Sequence, residues 1–460
     1  MQFGTRSARR RAVTGVARRP FGRAALLAAG IGLAVGAPAV LAMGSSAAGA
    51  STFRATLGYP AGQTITIAPG SNGYQQYAFV DRTGAVYWRE EASGVWSKWA
   101  SLAASQATPT PTTLTGEATL TWAPGRNGST LELFTENVSG DVVATWLSGS
   151  KWSTWTALGT PSTTVTGTFT DGQITWGPGT GGNLQEVFAA AHTGTHLDYV
   201  LYEKTEGQTG AWGKWTAVGT TSTITTLTKA SLTWAPGSDG STQELFAYMG
   251  ATGNTARQVF VTWTSHGTWH SWVTFDPTAA TKQGPITDTA PFSGGITYAP
   301  GSNGSLQEVF AAGVTGTVFV NWENPGGWAG WHDLGRATTG FATSRITYAP
   351  GSNGSVQEIF AITGTTTGGV WVDWENPNGS WSGWKSMGMT SITFDHDTSA
   401  SSHEVWDVSY AAGSNGSLQE IAATSVGYST YPTATYVDWE NPGGGWSGWV
   451  QWSTTTDSTS

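Results

Sequence analysis

Along residues 295–335 the chain alternates short apolar runs with glycine-rich punctuation. "GITYAP", "LQEVFAA", "TVFVNWE" and "WAGWHDLG" are separated by "GSNG", "GVTG" and "NPGG". Val, Thr, Tyr and Phe in short runs favour strands, and Gly/Asn pairs supply the positive φ that tight hairpins need. The pattern predicts four consecutive strands with short turns, an antiparallel meander.

The same phrase recurs along the chain. W-x-x-W occurs at Trp96/Trp99, Trp152/Trp155, Trp212/Trp215, Trp269/Trp272, Trp328/Trp331, Trp381/Trp384 and Trp446/Trp449, about 58 residues apart. A second marker of the type "APGSNG", at 68, 123, 177, 235, 299, 349 and 411, alternates with it without exception. Seven repeats of one supersecondary unit follow. A lone four-stranded sheet cannot bury both faces, whereas seven set radially stack on one another. The expected fold is all-β: a seven-bladed β-propeller of four-stranded antiparallel blades spanning 51–460. A linear solenoid or two sandwiches would show capping repeats or a break in composition, and the sequence has neither. "RATLG" (54–58) resembles the strand ending "WTALG" (155–159) and suggests pairing with blade seven. The longest connections, 274–295 and 387–407, are expected on one face of the ring.

The first fifty residues break the pattern. Arg6, Arg9, Arg10, Arg11, Arg18, Arg19 and Arg23 precede the apolar "AALLAAGIGLAVGAPAVLA". This is the layout of an export signal, and "ARRPFGR" suggests the twin-arginine type, cleaved after Ala42 or Ala50. Its removal leaves 14 basic against 30 acidic side chains. So acidic a surface repels phosphate backbones, which argues against nucleic acid as a partner. No other long apolar run is present, so no membrane span is expected after cleavage. Cysteine is absent, which removes disulfides, thiolate metal sites and cysteine nucleophiles. No cofactor or metal is expected.

The tryptophans and a recurrent glutamate carry the candidate chemistry. The second Trp of each pair, such as Trp331, is expected to fill space between blades. The Trp near the end of the third strand (Trp88, Trp146, Trp263, Trp322, Trp374, Trp439, with Tyr202 in the third copy) is expected to do likewise. Residues three apart in a regular strand point to opposite sides. The first Trp of a pair is therefore expected at a blade edge, partly exposed, unless the backbone bends. Flat indoles beside amide and carboxylate acceptors suit the apolar C–H face and hydroxyl rim of a sugar. In repeats five to seven this set is Trp328 with Glu323 and Asn324, Trp381 with Glu375 and Asn376, and Trp446 with Glu440 and Asn441. The plainer role of Asn-Pro-Gly is a tight turn. On the second strand Glu132, Glu186, Glu244, Glu308, Glu358 and Glu420, with Gln76 in the first copy, fall among apolar residues. Such a carboxylate needs a bonded partner, so a structural role is expected.

The unit "GSNGSLQEVFAAGVTGTVFVNWENPGGWAGWHDLG" resembles that of the seven-bladed propeller lectins of the Photorhabdus lectin type. The likeness covers about 53–452 and is tightest in repeats five to seven. It implies several carbohydrate sites in pockets between neighbouring blades, fucose and O-methylated sugars as ligands, and no metal. The repeats here are longer, and "DVVATWLSGSKW" lacks the "ENP" acceptors, which implies fewer or differently tuned pockets.

Enzymatic propellers form the alternative. A glycosidase needs two carboxylates at one site, singular within the repeat. Singular polar residues occur at His192/His196 and in "FDHDTSASSHE", with Asp395, His396, Asp397, His403 and Glu404. A glycoside hydrolase or lyase centred in the 387–407 loop is one alternative, and an extracellular protein-interaction scaffold is another. The sialidase Asp-box, the G-x-S-x-G elbow and H-E-x-x-H are all missing.

Overall fold

A computed structural model describes residues 65–102, 120–160, 174–219, 230–275, 292–337, 343–388 and 404–452, less a few residues in turns. All belong to the compact unit Ala55–Ser460. The expected export signal, the 54–58 segment, His196 and most of the 274–295 and 387–407 connections lie outside the described residues.

The fold is all-β, with seven antiparallel sheets forming a seven-bladed propeller. Each sheet comes from one contiguous repeat. In blade five the strands are Phe292–Pro300, Gln307–Gly313, Thr317–Asn324 and an outer strand in two pieces, Gly327–Trp328 and His332–Arg336. The first strands of successive blades touch in order, and Glu404–Ala412 of blade seven touches Ile65–Pro69 of blade one, which closes the ring. The outer edge of blade seven is completed by Val450–Trp452, paired with Thr435–Val437.

The core lies between blades. Phe310 and Val320 of blade five pack with Ile346 and Ile359 of blade six, and each neighbouring pair of blades repeats such a cluster. Phe134, Phe188, Phe246, Phe310 and Phe360 are fully buried at one position of the second strand. Turns are shaped by glycine where nothing else fits. A Cβ on Gly301 would come within 2.1 Å of the Ser305 carbonyl oxygen. Asn303, next to that turn's centre, takes φ 44°, a value Asn tolerates better than most residues.

The strand register corrects one expectation. The residue opposite the second-strand glutamate is Trp146, Trp263, Trp322, Trp374 or Trp439 in five blades. In blade one it is Glu90, paired with Gln76, and in blade three Thr205, paired with Glu186. Trp88 and Tyr202 fall earlier on their strands. Of these five indoles Trp322 and Trp374 pack against the inter-blade cores as expected, but none is fully buried: four are half-buried and Trp146 is exposed. They stand near the end of the third strand, opposite the start of the second.

Candidate functional site

Each second-strand glutamate is a buried clasp between blades. Glu308 Oε1 accepts from the Ser302 amide (3.0 Å) and from Ser305 Oγ (2.8 Å) within its own blade. Glu308 Oε2 accepts from Gln357 Nε2 of blade six at 2.7 Å. The same inter-blade bond joins Gln185 to Glu132, Gln243 to Glu186, Gln307 to Glu244 and Gln419 to Glu358. Tyr77 of blade one bonds Glu420 of blade seven and completes the belt there. A buried carboxylate is tolerable because donors surround it. The structural role expected of these glutamates is what the hydrogen bonds describe. Their glutamine partners were not singled out in the sequence, although the repeated "QE" pair displays them.

The "WENP" glutamates join the same belt. Glu375 Oε2 accepts from Gln357 Nε2 (2.8 Å) and Ser302 Oγ (2.7 Å), and Glu375 Oε1 accepts from Asn303 Nδ2 (2.7 Å). Glu440 is held likewise by Gln419, Ser352 and Asn353, and Glu323 by Gln307 and Ser238. All three are buried. Asn324 and Asn441 are exposed and Asn376 half-buried, on the turn that follows. Asn376 Nδ2 bonds the Ser380 carbonyl and Asn441 Nδ2 that of Gly445, which closes the turn.

The paired tryptophans solve the parity problem through a backbone bend. Trp328 pairs with Glu323, and strand pairing resumes only at His332, opposite Val320. Gly330 takes φ 96° inside this break, as a bulge requires. Both indoles then face the preceding blade. Trp331 is 3% exposed and its Nε1 donates to the Phe275 carbonyl at 3.1 Å. Trp384 and Trp449 make the same bond to Leu334 and Met387. The first tryptophans, Trp328, Trp381 and Trp446, are half-buried and sit edge-on to Phe246, Phe310 and Phe360 at 5.7, 5.8 and 5.7 Å. Asn321, Asp373 and Asp438 hold the bend from the third strand, accepting from Gly330 N, Ser382 Oγ and Ser447 Oγ. Burial raises the Asp373 and Asp438 carboxyls above the usual range.

A cleft of roughly 360 Å³ opens between blades five and six. Trp322 and Trp381 line it from opposite blades, with Val320 between them and Asn303, Asn324, His332 and Asp333 at its polar side. His332 stacks on Trp322 at 3.9 Å with 24° between planes, and desolvation lowers its pKa. Asp333 Oδ1 accepts from Gly335 N at 2.6 Å. Of the nine residues singled out in the sequence, the cleft gathers Asn324, Glu375 and Trp381. Trp328 and Glu323 stand at the junction of blades four and five. Trp446 and Glu440 stand toward blade six, and Asn441 and Asn376 lie on the turns following Glu440 and Glu375. Trp322, His332 and Asp333 were not read as site residues, and only their singularity within the repeat sets the last two apart. Among the described residues no group of three His, Cys, Asp or Glu side chains could hold a metal.

No family model matches the chain, and no curated protein matches it. Solved structures do. The BP39L lectin from Burkholderia pseudomallei aligns over 86% of this chain and 100% of its own, at 14% identity and TM-score 0.59. The fucose-specific lectin from Aleuria aurantia aligns over 75% and 97%, at 13% identity and TM-score 0.41. The sialidase NanB aligns over 80% and 65%, at 10% identity and TM-score 0.39. The first of these shares the propeller fold with this chain.

Proposed function

We propose that this protein is a secreted carbohydrate-binding protein, a lectin, exported through the signal at 1–50, whose sugar lies in the cleft between blades five and six. The observation that supports this is one cleft with two indoles on facing blades and amide, imidazole and carboxylate groups beside them. A pyranose packs its C–H face on Trp322 or Trp381 and turns its hydroxyls to Asn324, Asp333 and His332. The carboxylate of Glu375 is committed to Ser302, Asn303 and Gln357, so it fixes the cleft's shape while Asn324 and Asp333 meet the ligand. One such site binds weakly, and repetition around a rigid ring supplies avidity toward a polysaccharide or cell surface.

The test is a glycan array probed with residues 51–460. Expected is a defined set of bound glycans, fucosylated or O-methylated ones first. Monovalent affinity for the best of them should fall tenfold or more in Trp322→Ala and Asp333→Ala, and be retained in Asp395→Ala/His396→Ala. An empty array overturns the proposal. Reducing sugar released from a polysaccharide, and lost in the Asp395/His396 variant, would favour the hydrolase instead.

A further inference from the structure

The seven blades share one register, so the two positions that shape the cleft between blades five and six can be located at every junction. The floor is Val320, opposite Phe310, and the wall is Trp322, opposite Glu308. Blades two, four, six and seven carry the same kind of pair: Ala144/Trp146, Val261/Trp263, Val372/Trp374 and Val437/Trp439. Each faces a half-buried first tryptophan of the next blade: Trp212, Trp328, Trp446 and Trp96.

Blades one and three depart at both positions together. Blade one has Trp88 as floor and Glu90 as wall, and blade three has Glu203 and Thr205. Trp88 meets Trp152, the counterpart of Trp381, edge-on at 5.6 Å. Opposite Trp88 stands Ala78 where blade five has Phe310, so aromatic bulk moves from the second strand to the third, toward the cleft. In blade three Glu203 Oε2 accepts from Trp269 Nε1, again the counterpart of Trp381, at 2.6 Å. At both junctions the outer indole is gone and the remaining one is engaged by the floor. A sugar that stacks on indole has no free wall there.

We infer that five of the seven junctions are pyranose sites, those following blades two, four, five, six and seven, and that Trp88 and Glu203 close the junctions following blades one and three. This rests on the carbohydrate reading above and adds to it the number and place of the sites. The floor and wall residues act as a pair: a small floor gives depth, and the tryptophan gives a face.

Native mass spectrometry of residues 51–460 at saturating methyl α-L-fucoside, methyl β-D-galactoside and methyl α-D-mannoside counts bound sugars directly. Expected is a ladder that ends at five adducts for whichever sugar binds. Giving blade one the blade-five pattern (Ala78→Phe/Trp88→Val/Glu90→Trp) should raise the count to six. Giving blade five the blade-one pattern (Phe310→Ala/Val320→Trp/Trp322→Glu) should lower it to four. Should either variant not fold, Glu203→Val/Thr205→Trp repeats the opening test at blade three. Any native count other than five, or variants that leave the count at five, overturns the inference while the carbohydrate reading stands. No adduct with any of the three sugars overturns both.

Discussion

The junction between blades five and six is clasped by polar groups, and that between blades one and two by apolar ones. In the first, the amide of Gln357 lies between the carboxylates of Glu308 and Glu375, at 2.7 and 2.8 Å. In the second, Gln76 stands where Glu308 would, Leu131 where Gln357 would and Leu147 where Glu375 would. Leu131 and Leu147 are buried with Trp122 and Trp152 packed on them. All three members change together, and that is the lesson. Where both acids are present one amide reconciles them, while between blades three and four Gln243 serves Glu186 and Thr264 stands where the second acid would. Neither solution is inherently stronger, since a well-packed apolar contact often equals a buried charged network.

Breaking the set should therefore cost far more than replacing it. Gln357→Leu leaves two buried carboxylates facing one another without their shared donor. The expected loss is about 3–5 kcal/mol, read as a lower urea midpoint with unchanged slope. Glu308→Gln/Gln357→Leu/Glu375→Leu copies the composition of the junction between blades one and two and should recover most of that loss. A triple variant no more stable than the single one would show that the apolar junction depends on its tryptophans rather than on its lack of charge.

The junction between blades three and four is a mixed case and should respond to pH. Glu203 takes the place that Val320 has in blade five, and among the described residues its side-chain donor is the Trp269 N–H. Desolvation, opposed by that bond and reinforced by Glu186, pushes its carboxyl up to about 7. The folded protein then favours the protonated form. Its contribution is complete below the ordinary carboxylate range and is lost as pH rises through about 7. Stability should fall by about 2–3 kcal/mol across that window. Glu203→Gln keeps an acceptor for Trp269 and should remove the slope, as urea unfolding at pH 5 and pH 8 would report. An unchanged slope would assign the pH dependence to other groups.

These contrasts also mark what the sequence displayed and what it withheld. Blade number and strand order were legible because W-x-x-W and the Gly/Asn turns are local signals repeated seven times. The structural role of Glu308 was legible from its apolar neighbours. The inter-blade partner of that glutamate was not, because Gln357 is forty-nine residues away and only the ring brings them together. The orientation of the paired tryptophans turned on one bulge at Gly330, a feature that strand parity cannot supply. Aromatic character suggests Tyr202 as the counterpart of Trp322, whereas the ladder puts Thr205 there. The cleft itself is built from two blades, and Trp322 both packs on the core as expected and lines the cleft, a second role that only the neighbouring blade reveals.

The smallest expected effect runs the comparison backwards. Trp122 of blade two has a buried indole nitrogen that finds no hydrogen-bond partner among the described residues. Its counterparts Trp176 and Trp234 donate to Gln185 and Gln243 at 2.8 and 2.9 Å, and in blade two that glutamine is Leu131. Leu131→Gln offers Trp122 an acceptor but brings an amide N–H that needs one of its own. Gln76→Glu supplies it, as Glu132 does for Gln185. Leu131→Gln alone should therefore be neutral or destabilising, and Gln76→Glu alone destabilising, because it buries a carboxylate beside apolar residues. Together they should gain about 1 kcal/mol over the native junction. The coupling between the two substitutions is the decisive quantity in this cycle. Simple additivity would mean that the clasp is a collection of separate bonds, while a favourable coupling would show that glutamate and glutamine act as one unit at every junction where both occur.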